Sequence, residues 1–120
     1  MARDERAYLL DIVQAADLIG QFLAGKSFDD LVNDELRSAA VLQKFIVIGE
    51  AGARLSSDFK SRYSDVPWHK IVGLRNVAVH GYFAIDWTII WSVATADVAS
   101  LASRVEAILR ELIADEEWPD

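Results

Sequence analysis

Ala39-Ala40-Val41-Leu42-Gln43-Lys44-Phe45-Ile46-Val47-Ile48-Gly49 is the stretch that decides the fold. Only Gln43 and Lys44 are polar within it, so a helix here must be covered on more than one face. It lies inside a longer helical period, from about Phe28 to Leu55, and reads as the central helix of a bundle. Gly49 with Gly52 leaves room for a close helix neighbour.

Towards the N-terminus, a first helix from about Asp4 to Ala24 carries Leu9, Ile12, Val13, Ala16, Ile19 and Leu23 on one stripe. Gly25-Lys26 ends it, and Ser27 with Asp30 three residues later predicts a capping box at the start of the central helix. Towards the C-terminus, Ser56 to Val66 is a polar connection with a short helix around Phe59. Pro67 suits the first turn of a third helix that runs to about His80. A short element from Asp86 to Val93 puts Trp87 and Trp91 on one face, and a last helix from Asp97 to Ile113 packs through Leu101, Val105, Ile108 or Leu109, and Leu112. An acidic tail, Asp115-Glu116-Glu117-Trp118-Pro119-Asp120, follows.

Short connections between these helices predict an all-α fold in one domain, residues 1–120: an antiparallel bundle of four main helices plus a short fifth helix. The Ile85 to Val93 segment is more apolar than a surface needs, which suits either core or a dimer interface, where aromatics are enriched.

Cysteine is absent, so the chain has neither a disulfide framework nor a thiolate metal site, which suits the cytoplasm. It has no run of about 18 apolar residues, and its charged start does not resemble a secretory leader, so a soluble protein with no membrane partner is expected. A net charge of −7 argues against coating nucleic acid over a whole surface, and DNA is not expected as a partner. The segment from Asp58 to Tyr82 is nevertheless basic, with Lys60, Arg62, Lys70 and Arg75 against Asp58 and Asp65. A small basic focus on an acidic body allows a few phosphate contacts at one place.

Within that segment stands Arg75-Asn76-Val77-Ala78-Val79-His80-Gly81-Tyr82. The helical neighbours of Arg75 at i±3 and i±4 are Ile71, Val72, Ala78 and Val79, none of them a carboxylate, so its partner must come from elsewhere in the fold, another subunit or a ligand. A plainer reading makes His80 a cation at a helix C-terminus ended by Gly81, with Arg75 snorkelling and Tyr82 half-buried. On one straight helix Arg75 and His80 diverge by about 140°. Either the chain leaves the helix at Gly81, or a second copy supplies half of the site across a two-fold interface.

The chain resembles the HepT-like branch of the HEPN superfamily. The resemblance runs through Ile48-Gly49-Glu50-Ala51, Val66-Pro67-Trp68-His69-Lys70-Ile71-Val72-Gly73-Leu74-Arg75-Asn76, His80-Gly81-Tyr82-Phe83 and Ile89-Ile90-Trp91. Members are ribonuclease toxins whose antitoxin is a minimal nucleotidyltransferase, and two subunits bring their motifs together at a dimer cleft. The resemblance implies that Arg75 and His80 are the catalytic pair of the R-x-x-x-x-H motif, with Asn76 beside the arginine. It also implies that Tyr82 is the tyrosine to which the transferase attaches AMP. Where members often carry arginine after Pro-Trp, this chain has His69-Lys70, and no role is transferred to either.

These residue types suit RNA cleavage, with RNA, tRNA among the candidates, as substrate. Histidine can move protons near neutral pH, and arginine can hold a phosphate with two hydrogen bonds without losing its charge. No cofactor is expected, and no metal, since His69 and His80 have no Asp or Glu at ligand spacing. Glu50, in the apolar centre of the second helix, is expected to pair with an arginine or histidine of the third. Two other classes remain open to the sequence: a non-catalytic HEPN-like module that binds a nucleotidyltransferase or its nucleotide, and a plain helical oligomerisation domain.

Overall fold

The computed structural model describes residues 4–84 and 86–115, and for residues 80–84 the backbone alone. Every regular element among the described residues is helical. Helix α1 (Glu5–Leu23) opens where the Asp4 carboxylate accepts the Arg6 backbone N–H at 2.8 Å, which satisfies one of the donors that a helix start leaves unpaired. Leu9, Ile12, Ala16, Ile19 and Leu23 are buried along the expected stripe. Gly25, at φ 70°, takes the left-handed conformation that only glycine adopts cheaply, and the chain turns there.

The capping box is present at the start of α2 (Phe28–Asn33). The Asp30 N–H donates to Ser27 Oγ at 3.1 Å, and the Ser27 N–H donates to Asp30 Oδ2 at 2.8 Å. The single helix expected from Phe28 to Leu55 is in fact two. Asp34 has an extended backbone, and its side chain accepts the Arg37 N–H at 3.1 Å, which caps a new helix, α3 (Glu35–Arg54). An aspartate that offers its own oxygen to the backbone competes with helix continuation, and here it wins. The Arg37 guanidinium pairs with Asp34 and donates from Nε to the Phe22 carbonyl at 2.9 Å, so the corner is tied to the end of α1.

Helix α4 (Ser57–Arg62) is capped by Ser56, whose own N–H donates to Glu5 Oε1 at 3.0 Å. Phe59 is buried against Tyr63 and Trp68, with ring centroids 5.0 and 6.0 Å away, and the Trp68 indole N–H donates to the Tyr63 carbonyl at 3.0 Å. These contacts fix the start of α5 (Trp68–Ala84).

Asp86 caps α6 (Trp87–Ser92) by accepting the N–H groups of Thr88 and Ile89. A π-helical turn, Val93–Asp97, joins it to α7 (Val98–Asp115), with the Val98 N–H reaching back to the Val93 carbonyl. The last helix therefore starts one residue later than expected and is fused to the short one before it. Four long helices, α1, α3, α5 and α7, are accompanied by three short ones among the described residues: α4 around Phe59 and α6 as expected, and α2, which the split at Asp34 adds.

Helix α3 lies between α1 and α5, and α1 packs in turn on α7. Phe45, Leu9, Ile12, Ile19, Ile71 and Ile108 are fully buried where these helices meet. Trp87 and Trp91 are partly buried against this core, Trp91 meeting Phe28 edge-on at 6.2 Å. Ile90 is buried, whereas Ile89 is 51% exposed; Ile85 lies outside the described residues. No helix among the described residues is long and apolar enough to cross a membrane.

Candidate functional site at the crossing of α3 and α5

Gly49 and Gly52 share one face of α3, and α5 is the close neighbour they admit. A Cβ placed on Gly49 would stand 2.6 Å from Arg75 Cβ, and one on Gly52 would stand 2.8 Å from Ile71 Cγ2. Only glycine at these points lets the two helices approach so closely. Ile71, Leu74 and Ala78 bury the inner face of α5 and hold it in place.

At this crossing Arg75 Nη1 donates to Glu50 Oε1 at 2.8 Å. The partner that Arg75 lacked along its own helix thus comes from α3, and Glu50 pairs as expected. Its setting is different: the two side chains are 40% and 42% exposed, so Glu50 is not in an apolar interior. One residue beyond Gly49, it points about 100° away from the packed line and lies at the edge of the crossing. A pair this open contributes about 0–1 kcal/mol to stability. Its larger effect is to place the guanidinium, because among the described residues Glu50 is the only hydrogen-bond partner of the Arg75 side chain.

Asn76, His69 and Lys70 are exposed, and Val79 is 49% exposed on the outer part of α5. The backbone of α5 continues through Gly81 to Ala84, which corrects the expected end at about His80 and removes one of the two alternatives, that the chain leaves the helix at Gly81. Apolar residues on both sides of Gly81 keep the helical pattern going, and a lone glycine inside a helix costs only about 1 kcal/mol. Positions 75 and 80 are therefore separated by about 140° around one axis. The side chains of His80 and Tyr82 lie outside the described residues.

One contact at the entry to α5 had no signal in the sequence. The Arg104 guanidinium donates from Nε to Asp65 Oδ2 at 2.6 Å and from Nη2 to Oδ1 at 3.3 Å, tying the connection before α5 to α7. An open groove between α1 and α7, lined by Ala16, Gly20, Ala99 and Ala102 among others, includes no residue of α3 or α5. Among the described residues no three His, Asp or Glu side chains gather into a group able to hold a metal ion.

The family described as Ribonuclease HepT-like matches residues 12–108, a span that holds Gly49, Glu50, Arg75, His80 and Tyr82. A Methanocaldococcus jannaschii protein named "Putative RNase" is 33% identical over 106 residues, covering 88% of this chain and 97% of its own. "Probable ribonuclease HepT" of Thermococcus cleftensis is 32% identical over 108 residues, covering 90% and 98%. A "Putative RNase" of Caldanaerobacter subterraneus is 33% identical over 106 residues, covering 88% and 95%. No solved structure matches the chain. A family match across 12–108 that takes in the glycine-lined crossing and its arginine, with relatives alike over nearly their whole length, decides the matter: this chain belongs to the HepT-like ribonuclease family.

Proposed function

We propose that the chain is the toxin of a toxin-antitoxin pair, a metal-independent ribonuclease whose site is built from Arg75 and His80 of two protomers. The observation that carries this reading is the position of Arg75. It is a half-exposed guanidinium on a rigid helix crossing, inside the segment matched by the ribonuclease family. Asn76 and Glu50 support it, and a nucleotidyltransferase antitoxin silences it by attaching AMP to Tyr82.

In this mechanism Arg75 holds the scissile phosphate and balances the charge that grows on it as the phosphorane forms. His80 of one protomer takes the proton from the ribose 2′-hydroxyl, whose oxygen bonds to phosphorus. His80 of the other gives a proton to the departing 5′-oxygen as the P–O5′ bond breaks. A dimer supports this division of labour because positions 75 and 80 diverge on one continuous helix. No metal enters any step.

Cleavage of RNA by the purified chain in EDTA tests the reading. Arg75→Ala and His80→Ala are each expected to lower the rate by about 10²- to 10⁴-fold with the circular dichroism spectrum unchanged. Undiminished cleavage by a folded His80→Ala variant would overturn it.

A further inference from the structure

We infer that Gly49 and Glu50 together are a positioning device for Arg75, and that they present the Nε–Nη2 edge of its guanidinium to the RNA phosphate. This rests on the ribonuclease reading above and goes beyond it, by stating which face of the arginine does the work and what sets it.

A guanidinium can grip two oxygens along either of two edges, Nη1–Nη2 or Nε–Nη2. Glu50 occupies Nη1. Neither Nε nor Nη2 has a partner among the described residues, so whichever Nη1 hydrogen Glu50 takes, the Nε–Nη2 edge stays whole for a bidentate contact. The other end of the side chain is fixed as well. A Cβ on Gly49 would collide with the Cβ, backbone N and Cα of Arg75, so the root of the side chain is seated directly on the backbone of α3. One residue seats the backbone and its neighbour aims the tip.

The arrangement separates binding from orientation. The Glu50 carboxylate is an anion beside the place where a phosphate must sit, so it does nothing to attract RNA. Removing it frees the guanidinium to sample other rotamers, which harms the transition state, while RNA affinity holds or rises. Glu50 is thus a positioning residue, and its loss should register in kcat rather than in binding.

The test uses the full-length chain and four forms: wild type, Glu50→Ala, Arg75→Ala and the double variant. Cleavage is followed on a single-stranded RNA oligonucleotide, and affinity is measured on the same sequence carrying 2′-O-methyl groups, which cannot be cleaved. Glu50→Ala is expected to lower kcat by about 10²-fold, the scale of a misplaced group, with 2′-O-methyl RNA affinity unchanged or raised. In the Arg75→Ala background the same change should have no further effect on kcat. The inference is overturned if Glu50→Ala leaves kcat at the wild-type value, if affinity falls as far as kcat, or if the loss is the same with and without Arg75. If Arg75→Ala alone changes neither cleavage nor affinity, the ribonuclease reading itself fails, a result visible without touching Glu50. If the wild type binds RNA without cleaving it, the ribonuclease reading fails and the positioning claim that rests on it fails with it.

Discussion

Gly49 of α3 and Arg75 of α5 meet backbone to backbone: a Cβ on the glycine would lie 2.7 Å from the arginine nitrogen and 3.1 Å from its Cα. The atoms it would meet belong to a packed helix and cannot step aside as a side-chain tip can. Helix packing and the seat of the Arg75 side chain are therefore set at one point.

Alanine substitutions along the crossing should separate by what each new methyl meets. Gly49→Ala is expected to destabilise the fold by about 1–3 kcal/mol through overpacking, more than the roughly 1 kcal/mol that alanine gains in a helix. Gly52→Ala, which meets a methyl of Ile71 at 2.8 Å, should cost less. Gly73→Ala, with no atom within 4 Å of the added Cβ, should stabilise by about 0.5–1 kcal/mol. Urea unfolding of the three variants checks the order, and a Gly49→Ala protein as stable as Gly73→Ala would contradict the crossing geometry.

The tie between Asp65 and Arg104 carries a pH dependence. The hydrogen bond from the Arg104 guanidinium, more than any other cause, holds the Asp65 carboxyl below its ordinary range. A folded value below the unfolded one, about 3.9, means that the stabilisation is complete above that pH and is lost as pH falls through the folded value. The melting temperature of wild type should exceed that of Asp65→Asn at neutral pH, and the gap should close below about pH 4. A gap that is constant into strong acid would contradict the assignment.

Self-association is expected along α5 and α6, where Val79 and Ile89 are 49% and 51% exposed. An obligate dimer should bury more than about 2,000 Å² in total. Light scattering should report a dimer for wild type and a shift towards monomer for Val79→Asp with Ile89→Asp, at unchanged helix content. A monomeric wild type at micromolar concentration would sink the composite site.

Tyr82 shares the last turns of α5 with His80. An AMP group there would bring a phosphodiester anion and a bulky nucleoside to the segment proposed to bind substrate phosphate, and would inhibit without unfolding. Incubation with a cognate nucleotidyltransferase, ATP and Mg²⁺ should add AMP to wild type and none to Tyr82→Phe, and only wild type should lose nuclease activity. Mapping of the adduct by mass spectrometry to Tyr8 or Tyr63 would refute the modification model.

What could be read from the sequence was local. The α1 stripe, the Ser27–Asp30 capping box and the glycine pair at 49 and 52 each follow from neighbours within a turn or two. The break at Asp34 escaped because an apolar helical period runs across it, although Arg37 three residues on was available to complete the cap. Glu50 was expected to find a cation on the third helix, but its half-exposed setting depends on where α3 and α5 cross, which no spacing within either helix specifies. Asp65 and Arg104, 39 residues apart, had no pattern to announce them.

The π-helical turn at Val93–Asp97 gives the chain one residue of slack at that point. It holds one residue more than an α-helical path between the same ends would need, and from it the Thr95 hydroxyl donates to the Trp91 carbonyl at 2.7 Å. Deleting a single residue there would let the rod from Trp87 to Asp115 close into regular helix with α6 and α7 keeping their orientation, and Ile90 would stay in the core. A second deletion has no slack left to draw on and would turn α6 by about 100° against α7. Among functional variants this turn can therefore shorten by one residue and no further.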